Sequence, residues 1–143
     1  MILVDVNIPL YAHDRLSPRH QAARIWFEEA LSGDEEVRFA MQTLLGFLRL
    51  STNSSVFDRA LTVDRAIGII GEWLALPNVA IATPTDRHWQ ILNELASAGQ
   101  ARGPLLMDAH LAALTIEHGA TLATTDRDFA RFPGLRFRNP LTG

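Results

Sequence analysis

Short apolar runs separated by longer amphipathic stretches organise this chain. Residues 2–5, 37–40, 79–82 and 121–124 each read as a strand too apolar for a half-exposed sheet and suited to the buried centre of a parallel one. Between them the period lengthens to that of helices. Asn7 is placed to cap a short helix over Ile8 to His13, with Pro9 tolerated in its first turn. Ser17-Pro18 predicts a helix start, and Ala22, Ala23, Trp26, Phe27 and Ala30 give one apolar face through about Leu31. Residues 41–50 put Leu44, Leu45, Phe47 and Leu48 inward. Thr62 caps a helix carrying Ala66, Ile67, Ile70, Trp73 and Leu74, and Thr85 or Asp86 caps another running through Trp89, Leu92 and Leu95 to Gly99. Residues 105–118 form a long helix stopped by Gly119. A helical turn at 127–131 and an extended piece at 135–137 follow. The alternation predicts one α/β domain over residues 1–143, with a central, mainly parallel sheet of four to five strands flanked by helices.

Composition narrows the chemistry. Nearly half of the 143 residues are apolar and a fifth charged, as in a folded soluble protein. No apolar stretch reaches membrane-spanning length and no secretion signal opens the chain, so the expected location is the cytoplasm. There is no cysteine, which excludes disulfides, thiolate metal sites and cysteine nucleophiles. All 13 basic residues are arginine, so any chemistry needing a catalytic or phosphate-gripping lysine is excluded as well. Arg127, Arg131, Arg136 and Arg138 fall close together, and the arginine fork suits phosphate, although the net charge of −3 does not announce a nucleic-acid binder.

The acids carry the strongest signal. Asp5 ends the first strand, Asp126 follows the fourth and Asp128 lies two residues on. Open α/β sheets hold their ligands beyond the carboxyl ends of strands. Asp108 interrupts the apolar run Leu105-Leu106-Met107-Asp108-Ala109 of a helix whose neighbours look buried. Singly, each acid also fits a turn, a cap or a first helical turn. Brought together they repel one another unless a cation fills the pocket. Oxygen ligands alone favour Mg²⁺ or Mn²⁺, which would activate water for in-line hydrolysis of a phosphodiester.

Three stretches resemble the PIN domain, and within it the VapC ribonuclease toxins of toxin–antitoxin pairs. Leu-Val-Asp-Val-Asn at 3–7 is similar to the family's opening, Met-Asp-Ala-His-Leu-Ala-Ala-Leu at 107–114 to its third motif, and Glu-His-Gly-Ala-Thr-Leu-Ala-Thr-Thr-Asp-Arg-Asp-Phe at 117–129 to its fourth. Phe-Pro-Gly-Leu-Arg at 132–136 and Asn-Pro-Leu at 139–141 match the tail of one VapC subgroup. The resemblance implies a Mg²⁺- or Mn²⁺-dependent endoribonuclease with Asp5, Asp108 and Asp126 as metal ligands and Asp128 completing the catalytic set. It also implies a VapB-like antitoxin partner, an RNA substrate and a homodimer, with helices 17–31 and 41–50 as candidate interface elements. One position departs from the pattern: Gly46 aligns with the glutamate usual on the helix after strand two, and no acid occurs from Val37 to Val56.

Asn7, Arg49, Thr125 and Arg127 are the candidate substrate contacts. Arg49 equally suits the C-terminal end of its helix, and Thr125 equally suits a cap. His110 points to a different helix face from Asp108 and reads as a core or surface residue; His20 and His88 have no metal-like partners. Trp26, Trp73 and Trp89 recur at helical spacing and read as packing residues. The competing function is a catalytically weak PIN-fold module binding RNA or antitoxin, because of Gly46. A phosphoacceptor receiver domain would need a lysine that this chain lacks.

Overall fold

A computed structural model describes residues 1–142. The five strands β1 (Ile2–Val4), β2 (Val37–Ala40), β3 (Val79–Ala82), β4 (Thr121–Ala123) and β5 (Phe137–Arg138) line up as β3-β2-β1-β4-β5, and every adjacent pair is parallel. Six helices cover the sheet among the described residues: α1 (Asn7–His13), α2 (His20–Ser32), α3 (Met41–Ser51), α4 (Val63–Leu74), α5 (His88–Ala98) and α6 (Leu105–Glu117). A 3₁₀ turn (Arg127–Arg131) joins β4 to β5.

Alternation along each strand builds two cores. Ile2, Val4, Val37, Phe39, Val79 and Ala123 face one way and pack with α1 to α4. Leu3, Ala40, Ala82 and Leu122 face the other way, against α5, α6 and the 3₁₀ turn. On the first side Phe27, Phe39, Phe47 and Trp73 interlock, with Phe39 stacked on Trp73 at 5.3 Å between centroids and the others edge-on. On the second side α6 is buried almost all round, from Ala109 through Leu114 to Glu117. A helix apolar on every face belongs in such an interior position.

Most predicted elements form, and the differences have local causes. Thr62 caps α4 as expected, accepting from the Arg65 amide at 3.1 Å. Gly119 follows the end of α6 with φ +65°, the left-handed conformation that glycine adopts freely. Asn7 is not a cap: Asp5 Oδ1 accepts from Val6 N at 2.8 Å, and α1 begins at Asn7 itself. Ser17 starts a turn rather than the helix, its Oγ accepting from Arg19 N, and α2 begins at His20. Thr85 behaves likewise before α5. Trp89 is 72% exposed, because the inward positions of α5 are His88, Ile91, Leu92 and Leu95.

The turn after α5 is tightly packed. Arg131 Nη1 donates to the Gly99 carbonyl at 3.1 Å. A Cβ on Gly99 would stand 2.9 Å from Phe132 Cδ1 and 3.0 Å from the Leu95 carbonyl oxygen. Phe132 is buried and the carbonyl is backbone, so neither yields readily. Gly99→Ala is expected to lower stability by about 1–3 kcal/mol, measured by chemical denaturation.

Candidate active site

Strand parity decides which side chains meet. Leu3 and Leu122 face α6, so Asp5 and Thr124, each two residues further on, project to that same side. The ladder between β1 and β4 sets Val4 opposite Ala123 and continues with Asp5 N donating to the Ala123 carbonyl at 3.0 Å. Thr124 Oγ1 then donates to Asp5 Oδ2 at 2.7 Å and accepts from Asp126 N at 3.0 Å. Asp126 caps the 3₁₀ turn, its Oδ1 accepting from Asp128 N at 2.9 Å. Hydrogen bonds thus chain together the end of β1, the end of β4 and the turn beyond it.

Asp108 enters from the first turn of α6. Partial burial pushes its carboxyl up to about 6, and the charges of Asp126, Asp5 and Asp128 add to the rise against a smaller opposing pull from Arg131. Burial also raises Asp5, and Asp126 adds to the rise. The Thr124 hydroxyl and Val6 amide hold it back. The structure therefore brings all four predicted acids into one electrostatic neighbourhood. They do not form a closed cage: among the described residues no three acidic or histidine side chains stand close enough to grip one ion. Mutual repulsion between uncompensated carboxylates favours such spreading.

The substrate candidates fare unevenly. Thr125, a candidate substrate contact, makes no side-chain hydrogen bond among the described residues; its neighbour Thr124, buried at 1% exposure, holds Asp5. Asn7 is half-buried one residue beyond Val6, and Arg49 and Arg127 are exposed with no ion pair among the described residues. The C-terminal arginines do not form one patch, since Arg131 serves Gly99 and Arg136 Nη2 donates to the Gly119 carbonyl at 3.0 Å.

Gln42, passed over in the sequence, sits in the first turn of α3, and its Nε2 donates to the Met107 carbonyl at 3.2 Å. Gly46, one turn on, lies beside Val6: a Cβ there would meet Val6 Cγ2 at 3.4 Å, ordinary contact. The backbone there thus leaves room for a Cβ. A second polar chain, also unread in the sequence, lies between α5 and α6. Buried Glu117 accepts from Thr85 N at 2.6 Å and bonds His88 Nδ1 at 2.6 Å, and His88 Nε2 bonds His110 Nδ1 at 2.8 Å. Burial and the neighbouring His88 lower His110, against the opposing pull of Glu117.

The PIN domain family profile matches residues 2–135. The chain belongs to the PIN-domain family. Within it, Ribonuclease VapC37 of Mycobacterium tuberculosis is 41% identical over 140 residues, covering 98% of this chain and 97% of that one. Ribonuclease VapC43 of the same species is 38% identical over 143 residues, covering 100% and 97%. The fold is shared with VapBC2 from Rickettsia felis bound to a DNA fragment from their promoter, at a TM-score of 0.71 and 17% identity over 97% of this chain and 98% of that one. This PIN domain has no helix, among the described residues, long and apolar enough to cross a membrane.

The raised Asp108 carboxyl gives a signed stability effect. With its folded value about 6 and its ordinary value 3.8, the folded state holds the proton more tightly, so ionisation destabilises the fold. The penalty is absent below pH 4, grows between pH 4 and 6 and is complete above. Metal-free Asp108→Asn is expected to melt a few degrees above the parent at pH 7.5 and to lose that advantage at pH 4, by thermal denaturation in chelator. Thr124→Val should raise the Asp5 carboxyl further, seen by carboxyl NMR titration.

Proposed function

We propose that this PIN domain is the endoribonuclease toxin of a toxin–antitoxin pair, cytoplasmic and dependent on Mg²⁺ or Mn²⁺. The observation that supports it most is the convergence of Asp5, Asp108, Asp126 and Asp128 on one end of the sheet, in a chain whose full-length relatives are named ribonucleases. The donor chemistry fits a hard divalent ion: oxygen donors, no cysteine, and a buried amide oxygen without a partner at Gln42. Asp5, Asp108 and Asp126 are the residues that would hold it. When bound, such an ion supplies Lewis-acid stabilisation of charge on the scissile phosphate and eases deprotonation of water.

The chain's own residues do the rest. Thr124 and the Val6 amide fix both oxygens of Asp5, and the Asp126 carboxylate is oriented by the Asp128 amide. Asp128, exposed beside Asp126, is the residue that would accept a proton from the attacking water. Water adds to phosphorus as the opposite P–O bond breaks, and the leaving oxygen takes up a proton. Asn7, Arg49, Thr125 and Arg127 are the proposed RNA contacts; the two arginines are exposed and carry the forked geometry that suits phosphate. A VapB-type antitoxin is the inferred partner, as in the VapBC complex that shares the fold. A homodimer is inferred from exposed Met41 and Leu45 on α3, one of the expected interface helices.

Gly46 supports a second reading, an RNA- or antitoxin-binding module of low turnover. The two part on one assay. Asp5→Ala and Asp108→Ala are expected to abolish Mn²⁺-dependent cleavage of RNA by purified protein and its growth toxicity; cleavage unchanged in both would sink the site. Gly46→Glu, whose Cβ would make ordinary contact with Val6, is expected to tighten Mn²⁺ binding and raise turnover at least several-fold.

A further inference from the structure

We infer that Gln42 is a positioning residue of the metal pocket, standing in at one remove for the acid absent at position 46. The inference rests on the divalent-ion site proposed above. One face of α3 touches both segments that bring the acids in. Gly46 abuts Val6, next to Asp5, and Gln42, four residues earlier on the same face, bonds the carbonyl of Met107, next to Asp108.

Only the NH₂ end of an amide donates to a carbonyl, so the tether to Met107 fixes which end of Gln42 is free. The free end is Oε1, and it is buried with no partner. Three side-chain atoms among the described residues share that condition: Gln42 Oε1, Ser51 Oγ and Arg131 Nε. An unpartnered buried carbonyl oxygen costs free energy unless a ligand or its water satisfies it. Of the three, Gln42 alone is tied by a hydrogen bond to the residue preceding Asp108.

Gln42 is set one turn back from position 46 and carries no charge. Its role is to accept a hydrogen bond from the hydration shell of the ion that the carboxylates hold, while its amide nitrogen sets the first turn of α6 and with it Asp108. Mg²⁺ and Mn²⁺ sites retain several waters, so an outer-sphere acceptor has a donor to meet.

Isothermal titration of antitoxin-free protein with Mn²⁺ tests this, alongside melting in chelator. Gln42→Met fills the same volume without either polar atom. It is expected to bind Mn²⁺ 10–100-fold more weakly, the range typical of outer-sphere partners, while melting in chelator within a degree or two of the parent. Gln42→Glu keeps the acceptor and loses the donor to Met107; it is expected to bind Mn²⁺ at least as tightly as the parent. Parent-like binding by Gln42→Met overturns the inference and leaves the metal site standing. Equal weakening in both variants also overturns it, because the tether and not the oxygen would then be responsible. If Gln42→Met does not fold, Gln42→Glu decides alone, by retained or lost affinity. Absence of Mn²⁺ binding in the parent removes the metal site and this inference together.

Discussion

The register between β1 and β4 is the constraint on which the site depends. Pairing Val4 with Ala123 leaves Asp5 and Thr124 side by side on the α6 face, where the hydroxyl reaches the carboxylate at 2.7 Å. Strand side chains alternate, so a slip of one residue would turn Thr124 away and present Thr125. The register is itself secured by apolar anchors on both faces, Val4 and Ala123 towards α1 to α4 and Leu3 and Leu122 towards α6. The hydrophobic sandwich thus specifies a polar contact at its edge to within a single residue.

Acids gathered in this way work against the fold. The carboxyl of Asp108 is pushed up to about 6 although it lies in the first turn of α6, where the helix dipole favours a negative charge. Burial and three other acids outweigh the dipole. Local conflict of this kind, in a protein otherwise consistent from strand pattern to core, is what the proposed metal site would produce. The opposing contributions are modest: one cation, Arg131, and the hydrogen bonds that restrain Asp5.

Much of this was legible in the sequence because it rests on periodicity. Short apolar runs gave β1 to β4, two of them stopping at aspartate, and Asp108 stood out against an apolar helix. Choices within one residue were not legible. Thr124 and Thr125 are chemically identical, and only the register separates them. Asn7 suits a helix cap, yet α1 begins at Asn7 itself and has no side-chain cap. Trp89 looked like the inward residue of α5, yet its neighbour His88 is the buried one because Glu117 waits opposite, 29 positions along the chain. No local pattern announces a pairing at that distance. Gln42 carried one usable signal, its place a turn before the glycine that replaces an acid.

The buried chain from Glu117 through His88 to His110 has a consequence of its own. The Glu117 side chain has no exposure, and separating α5 from α6 would leave its carboxylate without its histidine partner in the interior. Opening either helix alone breaks that chain, so the helix presenting Asp108 is tied to α5 through side chains far from its own acid.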